Sequence, residues 1–189
     1  MRVAAEQALE ASQRELERLS RVDALTGVPN RRQLEERLSL ALLRIARSGE
    51  AIALMYLDID HFKQINDTHG HAIGDRVIRE FARRLTTSVR ATDLVVRLGG
   101  DEFVILLEQI DHPDMARAAA RKILASMREP VELDGLTLPI STSIGVAFAH
   151  EVREQDDLLV AADDALYEAK EGGRNQYRLG VLGETPSPE

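Results

Sequence analysis

Two clusters of side-chain oxygen in this chain have the types and spacing to do chemistry. In Gly99-Gly100-Asp101-Glu102, adjacent carboxylates follow a glycine pair between the apolar runs 94–96 and 103–107. This pattern predicts a β-hairpin with the glycines at its tip. Glycine adopts backbone angles denied to other residues and lets a ligand approach the main chain without meeting a Cβ. The second cluster, Asp58-Ile59-Asp60, stands where the apolar run 51–57 ends. That run is too continuous to be wet on one face, which predicts a central strand covered on both sides. Acids at the exit of such a strand face a desolvation cost unless a cation meets them. Each cluster has two readings. One is solvated acids at a turn or strand end. The other is a cation site, in which Asp58 and the Ile59 carbonyl offer the hard oxygens that suit Mg²⁺. If the strand of Asp58 lies beside the hairpin, Asp58 and Asp101 meet across the gap and can share divalent cations.

The remaining sequence must build elements that bring these acids together. At 189 residues and 44% hydrophobic content, the chain suits one core with an appendage. Lys and Arg number 24 against 32 Asp and Glu, a net charge of −8, which argues against nucleic acid as a partner. A small triphosphate stays compatible if divalent cations screen it. Absence of cysteine excludes disulfides and thiolate zinc sites. No apolar run approaches the roughly 20 residues of a membrane span and no signal-peptide pattern opens the chain, so a cytoplasmic location is expected, compatible with a membrane-anchored longer parent. Residues 1–22 carry a loose heptad of Leu9, Leu16 and Leu19 with Ala5 and Ser12 in the seam, which reads as a frayed solvated helix or a coiled-coil stalk. Gly27 and Pro29 break it, and Asn30 is placed to cap a helix through Arg47 whose stripe is Leu34, Leu38, Leu42 and Ile45. Helical spacing recurs over 77–90. A further helix starts at Pro113, a strand is expected over 138–149, and a helix over 156–170 turns through Gly172-Gly173-Arg174-Asn175 into a last short strand. The tail 179–189 reads as disordered. His61, His69 and His71 invite a zinc reading, but His69 and His71 stand only two apart and no thiol is available.

Arg97-Leu98-Gly99-Gly100-Asp101-Glu102-Phe103 resembles the signature of the GGDEF family, the diguanylate cyclases. Asp23-Ala24-Leu25-Thr26-Gly27-Val28-Pro29-Asn30-Arg31-Arg32 resembles the family's opening, with Val28 in place of Leu. The run from Asp58 to Asp75 resembles its D-x-D-x-F-K-x-x-N-D-x-x-G-H-x-x-G-D pattern, and the stretches 142–147 and 162–175 resemble two later motifs. The likeness covers roughly 21–178, so 23–178 is taken as the catalytic domain. It implies an α/β fold, a mainly antiparallel five-stranded sheet flanked by helices and related to nucleotide cyclases and polymerase palms, carrying an N-terminal stalk helix.

The resemblance also implies roles. Asp58, Ile59, Asp101 and Glu102 would hold Mg²⁺, with Mn²⁺ as an alternative; Asp101, Glu102 and Lys63 would serve catalysis. Asn66 and Asp75 would read the guanine edge, Asp75 accepting from N1 and N2 where adenine has no such donor pair. His71, Gly99 and Gly100 would complete the substrate site, and Lys170 and Arg174 would grip the triphosphate. Read alone, those two are solvated cations at a helix end. Arg90 and Asp93, an R-x-x-D pair five residues before the glycines, would form an inhibitory site for the product with Arg121. Read alone, that pair is a helix-end arginine and a turn aspartate. The implied reaction condenses two GTP into cyclic di-GMP with release of two pyrophosphates across a homodimer, under a sensor outside this chain. Two rivals stay open: a domain that binds GTP or cyclic di-GMP without turnover, and a cyclase making an adenine-containing product.

Overall fold

The computed structural model describes residues 21–150 and 154–182. The expected stalk falls, but for its last two residues, outside these, as does the tail from 183 onward. The first helix among the described residues, α1 (Arg31–Ser48), starts where Asn30 accepts the Gln33 amide and ends at Gly49 in the left-handed region. Its buried stripe is Leu34, Leu38, Ala41 and Ile45; Leu42 sits at the margin, only partly covered.

The run 51–57 becomes β1 (Ala51–Ile59), the middle of a five-stranded sheet. It pairs antiparallel with β3 (Glu102–Ile110) on one side and β6 (Thr142–Ala149) on the other. Beyond β3 lies its hairpin partner β2 (Leu94–Gly99); beyond β6 lies β7 (Tyr177–Leu182), the one parallel neighbour. The order is β2-β3-β1-β6-β7, mainly antiparallel as expected.

Alternation along the strands feeds two cores. Met55, Leu57, Phe103 and Ile105 face one way, under α3 (His71–Ser88) and α4 (Pro113–Ser126), where Phe81 meets Phe103 edge-on at 5.1 Å. Ile52, Leu54, Val104 and Leu106 face the other, under α1 and α5 (Gln155–Glu171). Fully burying each such side chain contributes about 1.5–3 kcal/mol. The second layer sits unusually close, because a Cβ on Gly145 of β6 would lie 2.0 Å from the Ala162 carbonyl oxygen and 2.2 Å from the Leu166 nitrogen. Only glycine lets α5 descend this far, and α5 carries Lys170 in its last turn, with Arg174 in the turn that follows.

Three boundaries differ from the sequence reading. Leu138 belongs to β5 (Leu136–Leu138), paired with β4 (Val131–Leu133) around Asp134-Gly135, both at positive φ. Pro139 offers no N–H to a ladder, and the sheet strand restarts at Thr142. The helix expected over 77–90 begins at His71, after a short α2 (Phe62–His69) that Gly70 separates from it. Finally, β7 runs to Leu182, past the boundary placed at 178, since Leu179 and Val181 pack on one core and Leu182 on the other.

Buried charge pins the layers. Glu108 on β3 receives Arg37 and Arg44 from α1. Arg84 on α3, 8% exposed, donates to the carbonyls of Ser126, Glu129 and Pro130 and to Glu80, closing the end of α4.

Candidate active site

At the end of the sheet where β1 gives way to α2, a cavity of about 600 Å³ opens. Asp58, Ile59, Gly100 and Asp101 enter it from the strand ends, because the antiparallel β1/β3 register brings Leu57 opposite Phe103 and sets the hairpin tip beside the exit of β1. Lys63, Asn66 and His71 line it from α2 and the start of α3, Lys170 from the end of α5, and Arg174 from the turn after it. Gly99, Asp75 and Glu102 are not among the lining residues. Asp75 is exposed on α3, one turn beyond His71, and Glu102 is exposed at the start of β3.

The electrostatics centre on Asp58. Its Oδ2 pairs with Lys170 Nζ, while its Oδ1 is buried and has no hydrogen-bond partner. Burial pushes its carboxyl above the usual range; Lys170 pulls it down, and the charges of Asp101 and Asp60 push it up again. Asp101 is likewise raised, first by burial, with its own backbone amide opposing and Glu102 adding to the rise. Two carboxylates withdrawn from water and acting on each other create a demand for positive charge that one lysine leaves unmet.

Among the described residues no three or more His, Cys, Asp and Glu side chains gather as a metal cage, and that includes the histidines. Mg²⁺ seldom needs one: it is commonly bound through one or two carboxylates, with phosphate and water completing the octahedron. An orphaned, buried carboxylate oxygen beside a second acid therefore fits an ion that arrives with phosphates.

A second orphan is Asn66 Oδ1, buried and without a donor. It lies where a Cβ on Gly74 would be, 1.9 Å from that position, so the glycine of α3 makes room for the amide. An acceptor desolvated at a cavity wall costs free energy until a ligand N–H meets it.

Two residues escaped a role in the sequence reading. Arg97 donates from Nε and Nη2 to the Gly100 carbonyl at 2.9 and 2.7 Å, and from Nη1 to the Asp23 carboxylate at 2.9 Å, so the segment before α1 clamps the Gly-Gly turn. Asp60, 6% exposed, accepts from Ser141 Oγ, Ser143 Oγ and the Asn175 amide. Neither was legible, because the partners stand 74, 81, 83 and 115 residues away.

A separate cavity of about 290 Å³ holds Arg90 and Asp93 with Leu107, Met115 and Lys122. Asp93 accepts the Arg90 amide at 2.9 Å. Arg121 is exposed and outside the lining; its neighbour Lys122 is the α4 cation that reaches this cavity.

No helix among the described residues is long and apolar enough to cross a membrane. Diguanylate cyclase TpbB from Pseudomonas aeruginosa is 43% identical over 164 residues, covering 86% of this chain and 38% of TpbB. The crystal structure of the TpbB (YfiN) GGDEF domain superposes with a TM-score of 0.79 at 42% identity, over 84% of this chain and 99% of that one. The coiled coil and GGDEF domain of DgcB from Caulobacter crescentus, solved with c-di-GMP, superposes with a TM-score of 0.78 at 29% identity, over 95% and 97%. The chain spans only 21%, 25% and 38% of the length of three of its curated relatives. The profile of the family described as "Diguanylate cyclase, GGDEF domain" matches residues 20–176, and with the strand-end acids and the glycine turn meeting at one cavity, the chain belongs to that family.

Proposed function

We propose that this domain condenses two GTP into cyclic di-GMP and two pyrophosphates. The observation that carries the reading is the orphaned Asp58 Oδ1, buried beside Asp101 in a cavity that Lys170 and Arg174 also line. Asp58, Asp101 and the Ile59 carbonyl would hold Mg²⁺, with Mn²⁺ as an alternative. When bound, the ion neutralises phosphate charge and acidifies the attacking hydroxyl.

The chain's own residues do the rest. Lys63, Lys170 and Arg174 set positive charge against the triphosphate in a protein that is otherwise acidic. Asn66 Oδ1 would accept from the guanine N–H edge, and Asp75, exposed on α3 one turn beyond His71, would accept from N1 and N2 of the same base. Asp101, whose affinity for protons burial raises, would take the proton of the 3′-hydroxyl. Glu102 adds negative charge beside it.

Joining two nucleotides by two equivalent bonds calls for two such cavities face to face, hence a homodimer. The Arg90–Asp93 cavity would receive the product as an inhibitor, with Lys122 or Arg121 from α4. The greater length of the relatives suits an upstream sensor that sets the distance between two domains.

The test is incubation with Mg²⁺ and GTP or ATP, followed by mass spectrometry. Cyclic di-GMP from GTP, at a rate rising with the square of protein concentration when dilute, is expected; nucleotide binding without product would leave a sensor module. Product inhibition that survives Arg90→Ala intact would remove the inhibitory assignment.

A further inference from the structure

Asp60 stands two residues past Asp58 and lines the same cavity, yet its chemistry is the opposite. Its Oδ1 takes Ser143 Oγ at 2.7 Å; its Oδ2 takes Ser141 Oγ at 2.6 Å and the Asn175 backbone N–H at 3.1 Å. Its own amide donates to the Ser141 carbonyl at 2.9 Å. Both oxygens are engaged inside the protein, and little capacity remains for a cation.

What those bonds hold is the informative part. Arg174 and Asn175 are consecutive non-glycine residues in the left-handed region, at φ 63 and 46. That conformation costs roughly 1–2 kcal/mol per residue and persists only where contacts enforce it. The Arg174 amide is held by the Ala169 carbonyl at the end of α5, and the Asn175 amide by Asp60. The turn between them aims Arg174 into the cavity wall.

We propose that Asp60 is a positioning residue for Arg174: it anchors the left-handed turn so that the guanidinium meets the phosphates of the nucleotide, and it ligates no metal itself. This rests on the cyclase reading for the identity of the ligand. Hydrogen-bond capacity rather than charge does the anchoring. Asparagine at this position would accept the Asn175 amide through its oxygen while its NH₂ donated to a serine hydroxyl, whereas alanine would hold nothing.

The experiment measures binding of Mg²⁺–3′-deoxy-GTP, which lacks the attacking hydroxyl, together with amide exchange at Asn175. Asp60→Ala is expected to weaken nucleotide binding about tenfold and to speed Asn175 exchange. Asp60→Asn restores both to within about threefold of the parent chain. In an Arg174→Ala background, Asp60→Ala costs little further affinity, because the two act as a unit. If Asp60→Ala does not fold, Ser141→Ala serves: it weakens binding about threefold in the parent chain and not in Arg174→Ala. The proposal is overturned if Asp60→Asn is as damaging as Asp60→Ala, the mark of a charge or a metal ligand, or if the losses add to that of Arg174→Ala. Should the parent chain bind no guanine nucleotide, the functional reading fails, while the exchange comparison still tests the anchor.

Discussion

Arg84 and Asp58 are both charged groups largely withdrawn from water, and the chain treats them in opposite ways. Around Arg84, at the junction of α3 and α4, three carbonyls and Glu80 receive the guanidinium. Glu80 in turn is held down to about 2, chiefly by its hydrogen bond from Arg83. Around Asp58, one oxygen has Lys170, the other has nothing, and the carboxyl is pushed up by burial. Charge whose bonding capacity is met within the protein fastens elements together. Charge left with capacity to spare is where a ligand is recognised, because binding then relieves a cost already incurred in folding.

Substitution separates the two regions. Asp58→Ala and Asp101→Ala are each expected to lower cyclic di-GMP formation by about 10²–10³-fold, with the unfolding midpoint of the metal-free protein held or raised; a loss of stability as large as that at Arg84 would erase the distinction. Arg84→Met should cost about 3 kcal/mol in urea unfolding, since three carbonyls lose their donor, while turnover per folded molecule stays level. Should turnover fall in step, the junction is part of the catalytic apparatus after all.

Titration sharpens the contrast by sign. Glu80 binds its proton more weakly in the fold than in the unfolded chain, so its contribution is present above about 4.5 and is lost as pH falls toward about 2. Asp58 binds its proton more tightly in the fold, so its contribution is full below 3.8 and fades as pH rises through the folded value. Melting of the metal-free protein across pH 2–8 should therefore show acid destabilisation that Glu80→Gln diminishes and a neutral-side decline that Asp58→Ala diminishes. Parallel curves for both variants and the parent would contradict the assignment. The smallest effect belongs to Asp134→Ala: its bond to Arg76 is a surface ion pair with Asp134 74% exposed, and a change below about 0.5 kcal/mol is expected.

Much of the fold was legible because it is periodic. The apolar run 51–57 reads as a doubly covered strand, Asn30 as the cap of α1, and the glycine pair as a hairpin, whose two-residue turn proves to be Gly100-Asp101 with Gly99 paired to Glu102. What misled was local: Pro139 splits a stretch that hydrophobicity alone joined, and Leu179 to Leu182 continue a strand whose partner, β6, is not visible from their own composition. At the site, Lys170 and Arg174 read as ordinary helix-end cations until α5 is laid against Gly145. Arg97 and Asp60 carried no local signal of their tasks, since each acts on a backbone group or side chain distant in sequence.

Residue type and short-range spacing were enough to say which residues carry acid, amide and cation, and which helices and sheet strands present them. Which of two acids two residues apart is free to bind was settled by the folded arrangement: Asp58 faces Lys170 with one bare oxygen, whereas Asp60 is saturated by two serines and an amide. Hydrogen-bond satisfaction is a property of what surrounds a group in space, and for these carboxylates those surroundings are assembled from segments more than eighty residues apart.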